Sequence, residues 1–433
     1  MKGFKALTVL AALLLSTSAN ATKIPIPIEG ATLNLGFQLQ PSVLLTENGS
    51  ADGQSPSAEF FIRRARILIN GDANQNFSYL LQFDSPNLGK RGDVAGSLTT
   101  KALVQDAWVA WAPFGLTGGN VLLIDAGLLL MPISRNMLTT TTNYTQADNH
   151  TDLFRLAGVA GLNPNQSSFR EVGVAIRGWA LDKKLGFRGG VYEGQREASL
   201  TACGAPCTSP NQTPNPKSYP RLAMFANYSL LGTEDGAWLY QGIYWSKTPI
   251  LSVNAAVTYQ SQSVQGPNGL TDSFLQSYGA FLEYPLNDDQ ELVIQLNAIR
   301  SINGTGSANT GWGAFADIGF RQGNFEPYAT FEGFMGDTCD TTQYSVAVCK
   351  NAQSAESRIT KFGVNYFIDR NKNHVNFEFA VNHGVSAVTA GSALAGIDST
   401  GTVKPGNALA ISQQGRLQAP ALKTFLIHWN LQF

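Results

Sequence analysis

Charge is the first thing that this sequence has little of. Charged residues make up 14% of its 433 residues, against about 25% in typical soluble domains. Its 30 Lys and Arg nearly balance its 31 Asp and Glu, whereas a nucleic-acid-binding protein carries a surplus of basic residues. The composition therefore argues against an ordinary soluble surface and against a nucleic-acid partner.

Histidines are also scarce, with four in the chain. None has the spacing of a metal-ligand pair, and the sequence contains neither G-x-S-x-G nor a glycine-rich phosphate-binding loop. We therefore expect no metal, no cofactor and no enzymatic activity. One alternative, a hydrolase built on a membrane barrel, depends on His150, the only histidine within a long polar segment.

Long apolar runs are missing beyond the first 21 residues, so no membrane-spanning helix is predicted. Those residues combine the basic Lys2 and Lys5, an apolar run from Ala6 to Leu15, and a small-residue site that ends at Ala21. This order is typical of a secretory signal peptide, and the run is too short for the ~30 Å of a membrane core. We predict a signal peptide over residues 1–21 and a single domain over residues 22–433.

The four cysteines fall in two close pairs, Cys203 with Cys207 and Cys339 with Cys349. In an exported chain, two local disulfides that staple loops are expected. A zinc site, the alternative, would need four ligands from two remote loops to come together.

The most frequent pattern in the sequence is the alternation of apolar and polar residues with a period of two. In ILSVNAAVTYQ (250–260), Leu251, Val253 and Val257 share one face, opposite Ser252 and Asn254. The segments ELVIQLNAIR, GWGAFADIGFR and HVNFEFAVNHG repeat the pattern. Segments of about ten residues with this alternation are typical of a transmembrane β-barrel, whose apolar faces contact lipid and whose polar faces line the lumen.

Turn residues separate these segments, and short and long connections alternate along the chain. The long ones include residues 132–168 and 262–271. The pattern predicts an antiparallel barrel of about sixteen strands with short periplasmic turns and long outer loops. The stretch 232–249 is either a long inner turn or an additional hairpin, and the hairpin would give eighteen strands.

Four segments resemble the phosphate-selective porin O and P family. They are FFIRRARILINGDANQNFSYLLQFD (60–84), VQDAWVAW (104–111), LLIDAGLLLMPISRNMLTTTTNY (122–144) and REVGVAIRG (170–178). The resemblance implies a sixteen-stranded trimeric channel of the bacterial outer membrane, whose third loop folds inward and narrows the pore. It also implies a lumen that carries Arg and Lys.

Strand phase and the third loop supply the candidate pore-lining residues. They are Arg64, Arg66, Arg135, Asp148, Asp152, Arg155, Arg177, Asp317, Arg321 and Lys361. Strand phase also turns Glu171, Glu283, Glu332 and Glu378 toward the lumen, so that five cations oppose five anions on the strands. The third loop itself is nearly neutral, which predicts weak ion selectivity because a phosphate filter needs concentrated positive charge.

The function that these features predict is passive diffusion of small hydrophilic solutes through an outer-membrane porin, with anions such as phosphate among the candidate solutes. The expected partners are outer-membrane lipid and lipopolysaccharide, the barrel-assembly machinery, and further copies of the chain in a homotrimer. A surface-exposed β-rich adhesin remains the alternative from another class.

The last nine residues, FLIHWNLQF, alternate in the same way and end on Phe433. A terminal aromatic on a closing strand resembles the signal that the barrel-assembly machinery reads. We predict that deletion of Phe433 lowers the folded fraction, measured by heat-modifiable gel mobility, more than it changes the conductance of channels that do assemble. Normal assembly of the truncated chain would contradict this assignment.

Overall fold

A computed structural model describes residues 22–25, 27–28, 30–50, 54–90, 102–148, 150, 153–154, 169–194, 215, 217–234, 239–266, 269–303, 310–337, 357–383 and 422–432. Within them, sixteen antiparallel strands close into a barrel, and a short additional strand precedes them. Nearly all of these residues are strand, turn or irregular structure. No helix in this part of the chain is long and apolar enough to cross a membrane.

The strands follow one another around the barrel in chain order. Their bounds are β1 Thr22–Ile24, β2 Leu33–Thr46, β3 Ser57–Asn74, β4 Phe77–Asp84, β5 Leu103–Trp111, β6 Val121–Leu130, β7 Arg170–Ala180, β8 Leu185–Tyr192, β9 Arg221–Leu231, β10 Ile250–Gly266, β11 Gly269–Asn287, β12 Gln290–Ile302, β13 Gly311–Gln322, β14 Phe325–Gly336, β15 Ser357–Asp369, β16 Asn373–Asn382 and β17 Leu422–Gln432.

The last strand closes the barrel against the second. β17 pairs with β2 from Thr424 opposite Thr46 to Gln432 opposite Gln38. Beyond that point the short β1 pairs with residues 33–35 of β2. On the inner side of this seam, Ser42 Oγ and His428 Nδ1 form a hydrogen bond of 2.7 Å.

Side-chain exposure follows the predicted alternation. On β13, Trp312 and Ile318 are exposed, whereas Asp317 and Arg321 are buried on the other face. The ten charged strand residues that were assigned to the lumen by phase are all buried. The prediction of an antiparallel barrel with an apolar outer face is confirmed.

One predicted connection differs from the structure, and one that was left open is decided by it. The loop predicted at 262–271 is wrong, because β10 and β11 continue their pairing to Gly266 opposite Gly269 and only residues 267 and 268 join them. The stretch 232–249 forms no hairpin in its described residues, so the sixteen-strand count stands. Short turns otherwise lie at one mouth of the barrel, here called the turn end, and the longer loops at the opposite loop end.

Because the outer face of the barrel is apolar, a charged residue introduced there should lower the stability of the folded protein. Phe331 lies in the middle of β14 and is exposed, and Phe114 is a still more exposed Phe in the turn between β5 and β6. Phe331→Lys should destabilise the folded protein in lipid vesicles by about 2–4 kcal/mol, because a Lys near the bilayer midplane faces hydrocarbon. Urea unfolding in vesicles measures this free energy. Phe114→Lys is the matched control, and an equal loss in both variants would contradict the proposed lipid-facing belt.

Candidate functional site: two segments inside the barrel

The connection between β6 and β7, residues 131–169, is called the inner loop here, and its described residues (131–148, 150, 153–154 and 169) fold into the lumen. Pro132 lies two residues after the end of β6, and the Ser134 hydroxyl then accepts a hydrogen bond of 3.1 Å from the Met137 amide. This cap begins a single helical turn that brings Leu138 N within 3.2 Å of Ser134 O. A serine at the start of a turn satisfies an amide that would otherwise be buried without a partner.

Apolar side chains anchor the inner loop to the wall. Met131, Ile133, Leu138 and Phe154 are completely buried. They belong to one cluster with inward-facing wall residues, which include Trp108, Leu123, Phe225 and Phe315. The lumen wall is therefore apolar in this region, and burial of the loop against these side chains removes both surfaces from water.

A second segment, residues 232–249 between β9 and β10, is called the inner turn here, and its described residues (232–234 and 239–249) enter the lumen from the turn end. Ile243 packs with Ile250, Phe281 and Val293. The Glu283 carboxylate accepts hydrogen bonds from the amides of Tyr244, at 2.6 Å, and Ser246, at 2.7 Å. Glu283 faces the lumen as predicted, and in the structure it fixes the backbone of this turn.

The inner loop and the inner turn meet inside the barrel through backbone hydrogen bonds. The Tyr240 amide donates to Leu138 O at 2.8 Å, and the Thr140 amide donates to Tyr240 O at 2.9 Å. These bonds form a short parallel bridge between Thr139 and Tyr240. The two segments, which enter from opposite mouths, therefore form one connected barrier.

Arg135 joins this barrier electrostatically, and only 1% of its surface is exposed. Its Nε lies 2.8 Å from the Glu234 carboxylate, and Nη2 donates to Gln241 O at 2.7 Å. Its guanidinium carbon lies 3.6 Å from the centre of the Phe281 ring. A buried ion pair survives only when further hydrogen bonds satisfy both groups, and Tyr244, Ser252 and Asn227 supply them to Glu234.

Asp148 fastens the inner loop to the opposite part of the wall. Its carboxylate contacts Arg63 at 2.7 Å and Arg64 at 2.6 Å. Arg66 pairs with Asp84 at 3.0 Å and also donates to the Thr141 hydroxyl of the loop at 2.7 Å. The predicted basic strip of Arg64 and Arg66 thus exists, but carboxylates neutralise it and it holds the loop.

His150 is completely buried against β13 and β14. Its Nε2 lies 3.0 Å from Asp317, its Nδ1 contacts Glu332, and its ring stacks on Phe315 at 3.7 Å. Lys361 completes the group, 3.5 Å from Glu332. Among the described residues, the partners of His150 are thus two carboxylates and an aromatic ring, and no serine hydroxyl bonds to its imidazole.

The buried charges are segregated around the wall. Among the described residues of β2–β9, four buried Arg accompany four buried carboxylates, and three half-buried Arg (Arg63, Arg170 and Arg188) accompany two half-buried carboxylates (Glu59 and Asp72). Among those of β10–β17, two buried cations accompany six buried carboxylates, and the half-buried Arg300 and Asp369 balance each other. The buried groups are Arg64, Arg66, Arg177 and Arg221 with Asp84, Asp106, Asp125 and Glu171, and then Arg321 and Lys361 with Glu283, Glu291, Asp317, Glu326, Glu332 and Glu378.

The remaining predicted residues divide into two groups. Arg177 and Arg321 point inward as predicted and pair with Asp125, at 2.6 Å, and Glu291, at 2.7 Å. Asp152, Arg155, Cys203, Cys207, Cys339, Cys349 and Phe433 lie outside the described residues, so their roles remain predictions.

Several residues of this site were missed in the sequence. Arg188 and Arg221 could have been found, because strand phase alone turns both inward. The sequence also contains an indication that the inner segments pack against the wall. Large apolar side chains such as Leu80, Phe225, Phe281, Val293 and Phe315 occupy the polar phase of their strands, where a water-filled lumen gives no reason for them. Glu234 could not have been predicted as a site residue, because it lies in an irregular turn where strand periodicity does not apply.

Comparisons with known proteins show what this fold is similar to. No family model and no curated protein matches the chain. Among solved structures, Salmonella typhi OmpF has a TM-score of 0.51 at 12% identity, over 95% of this chain and 100% of that one. OprB of Pseudomonas putida has a TM-score of 0.54 at 8% identity, over 93% and 94%. An anion-selective porin from Comamonas acidovorans has a TM-score of 0.51 at 10% identity, over 93% and 100%. The identities are too low to show more than a shared fold.

The buried Arg135–Glu234 pair predicts a measurable effect on the barrier. Arg135→Ala should destabilise the docked inner segments by about 3–5 kcal/mol, because it leaves the Glu234 charge buried without its partner. In planar bilayers this variant should show larger and noisier conductance steps than the native protein. The double variant Arg135→Leu/Glu234→Leu is the control, since removal of both charges should restore most of the loss. Unchanged steps in Arg135→Ala would show that this pair does not hold the barrier.

Proposed function

We propose that this protein is an outer-membrane channel through which small hydrophilic solutes diffuse passively. The observation that carries the proposal is the closed barrel whose exposed outer face is apolar while its inner face holds charged and amide side chains. In hydrocarbon every backbone polar group needs a partner, and a closed barrel meets that demand without free edges. A soluble binding protein or adhesin would instead bury its apolar faces in a core.

The proposed orientation puts the turn end in the periplasm and the loop end outside the cell. Residues 1–21 would direct export as a signal peptide, and Phe433 would mark the chain for barrel assembly. Both chain ends of the strand series lie at the turn end, as expected for a barrel with an even number of strands. The resemblance to phosphate-selective porins O and P supports a homotrimer with lipopolysaccharide around it.

The inner loop and inner turn would set the size limit of the channel, and the segregated charges would set its field. Positive charge toward β2–β9 and negative charge toward β10–β17 produce a field across the lumen rather than along it. Such a field favours small polar solutes whose dipoles can align with it. Because Arg64 and Arg66 are neutralised by Asp148 and Asp84, we expect weak ion selectivity and no strong phosphate preference.

Planar-bilayer recording of the purified protein tests both parts of this proposal. Stepwise conductance should appear, and reversal potentials in asymmetric salt should be small for chloride and phosphate salts alike. Arg64→Ala/Arg66→Ala should enlarge the steps, because Asp148 of the inner loop loses one of its two Arg partners and Thr141 loses its hydrogen bond from Arg66. A water-soluble monomer without conductance would refute the channel. A strong anion preference that disappears in the double variant would refute the neutralised field.

A further inference from the structure

A polar cleft opens at the turn end, between the inner turn, the β11–β12 turn and the β15–β16 turn. Its volume is about 390 Å³, within the range of small-molecule pockets. Its lining includes Trp245, Lys247, Asp288, Arg321 and Arg370. These residues come from four separate elements, so the cleft exists only because the inner turn folds into the barrel mouth.

The cleft carries a surplus of positive charge. Three cations, Lys247, Arg321 and Arg370, line it with one carboxylate, Asp288. Arg321 is buried and pairs with Glu291. Lys247 and Arg370 are exposed, and no carboxylate of the described chain lies within ion-pair distance of either. Two cations without a carboxylate partner among the described residues therefore line one cleft, although repulsion between them opposes that arrangement.

Trp245 contacts two of these cations through its ring. Its indole lies edge-on to Phe367 at 4.9 Å and donates to Asn371 Oδ1 at 3.2 Å. The guanidinium groups of Arg321 and Arg370 lie over its ring, at 4.5 and 5.7 Å from the ring centre. Trp245 also has a φ of 57°, a left-handed conformation that is unusual for a bulky residue. Local contacts thus hold a costly backbone conformation, a feature that clusters at ligand sites.

We propose that this cleft binds a small solute through an oxyanion group, a carboxylate or a phosphate. The Arg370 guanidinium, held over the Trp245 ring, keeps its N–H groups available in its own plane, where they match the two oxygens of such a group. The Arg321 guanidinium adds positive charge, but its N–H groups already donate to Glu291 and to backbone carbonyls. Lys247 adds a further positive charge from the inner turn. The cleft lies at the turn end, where Trp245 and Lys247 of the inner turn form part of its wall. Binding there goes beyond the proposed channel function and does not require selective conduction.

Binding can be measured without transport. The purified protein is labelled with 5-fluorotryptophan in detergent micelles, and the Trp245 resonance is assigned from its loss in Trp245→Phe. Succinate and inorganic phosphate are titrated separately against that resonance, with sodium chloride at matched ionic strength as the reference. We expect a saturable shift with at least one of the two solutes, and the solute that saturates identifies the oxyanion group.

Variants distinguish binding in this cleft from non-specific attraction of anions to the positively charged residues at the turn end. Lys247→Gln/Arg370→Gln should weaken binding by about tenfold or more, because charge-assisted hydrogen bonds are lost. Lys184→Gln removes an equally exposed cation from the β7–β8 turn, outside the cleft, and should leave binding unchanged. Unshifted resonances of the other tryptophans show that a variant is folded. No saturable shift with either solute, or equal losses in the double variant and in Lys184→Gln, would overturn the site while leaving the channel proposal intact.

Discussion

Closure of the backbone hydrogen-bond network at the seam between β17 and β2 is the constraint on which the rest of this structure depends. Nine residues of β17, between Thr424 and Gln432, run along β2, and β1 extends the pairing of β2 where β17 ends. An unpaired strand edge within hydrocarbon would leave amides and carbonyls that no water can satisfy. Once the sheet closes, each strand has one face toward lipid and one toward the lumen, and alternation along the chain decides which side chains meet each environment.

The inner loop and the inner turn bring backbone amides into the closed barrel, and these amides also need hydrogen-bond acceptors. Carboxylates on the lumen face accept some of these hydrogen bonds. Glu283 accepts from the Tyr244 and Ser246 amides, and Glu378 accepts from the Ala147 amide at 3.1 Å. These carboxylates therefore hold the inner segments through hydrogen bonds and also contribute to the electric field in the lumen. A count of lumen charges overstates the field that a solute meets, since a carboxylate bonded to amides and paired with Arg is largely compensated.

The inner loop is matched in charge to the wall that it crosses. Its Asp148 meets Arg63 and Arg64 on the side with surplus positive charge, whereas its Arg135 and His150 lie toward the acidic strands β10–β17. Apolar side chains pack the loop against the wall near its start, and ion pairs connect it to specific wall residues on both sides. Ion pairs of this kind favour one arrangement of the loop over sliding along the wall.

The sequence by itself determined the barrel. A period of two forces opposite faces on a strand whatever its neighbours are, so Arg64, Arg177, Asp317 and Lys361 could be assigned to the lumen from phase alone. Tertiary structure decided what those charges do, because ion pairing depends on which strands and loops meet. Nothing in the order of residues places Asp148 beside Arg64, or Glu234 in an irregular turn beside Arg135. Those contacts arise between groups 84 and 99 positions apart, and they form only when closure brings the inner loop and the inner turn into one enclosed space.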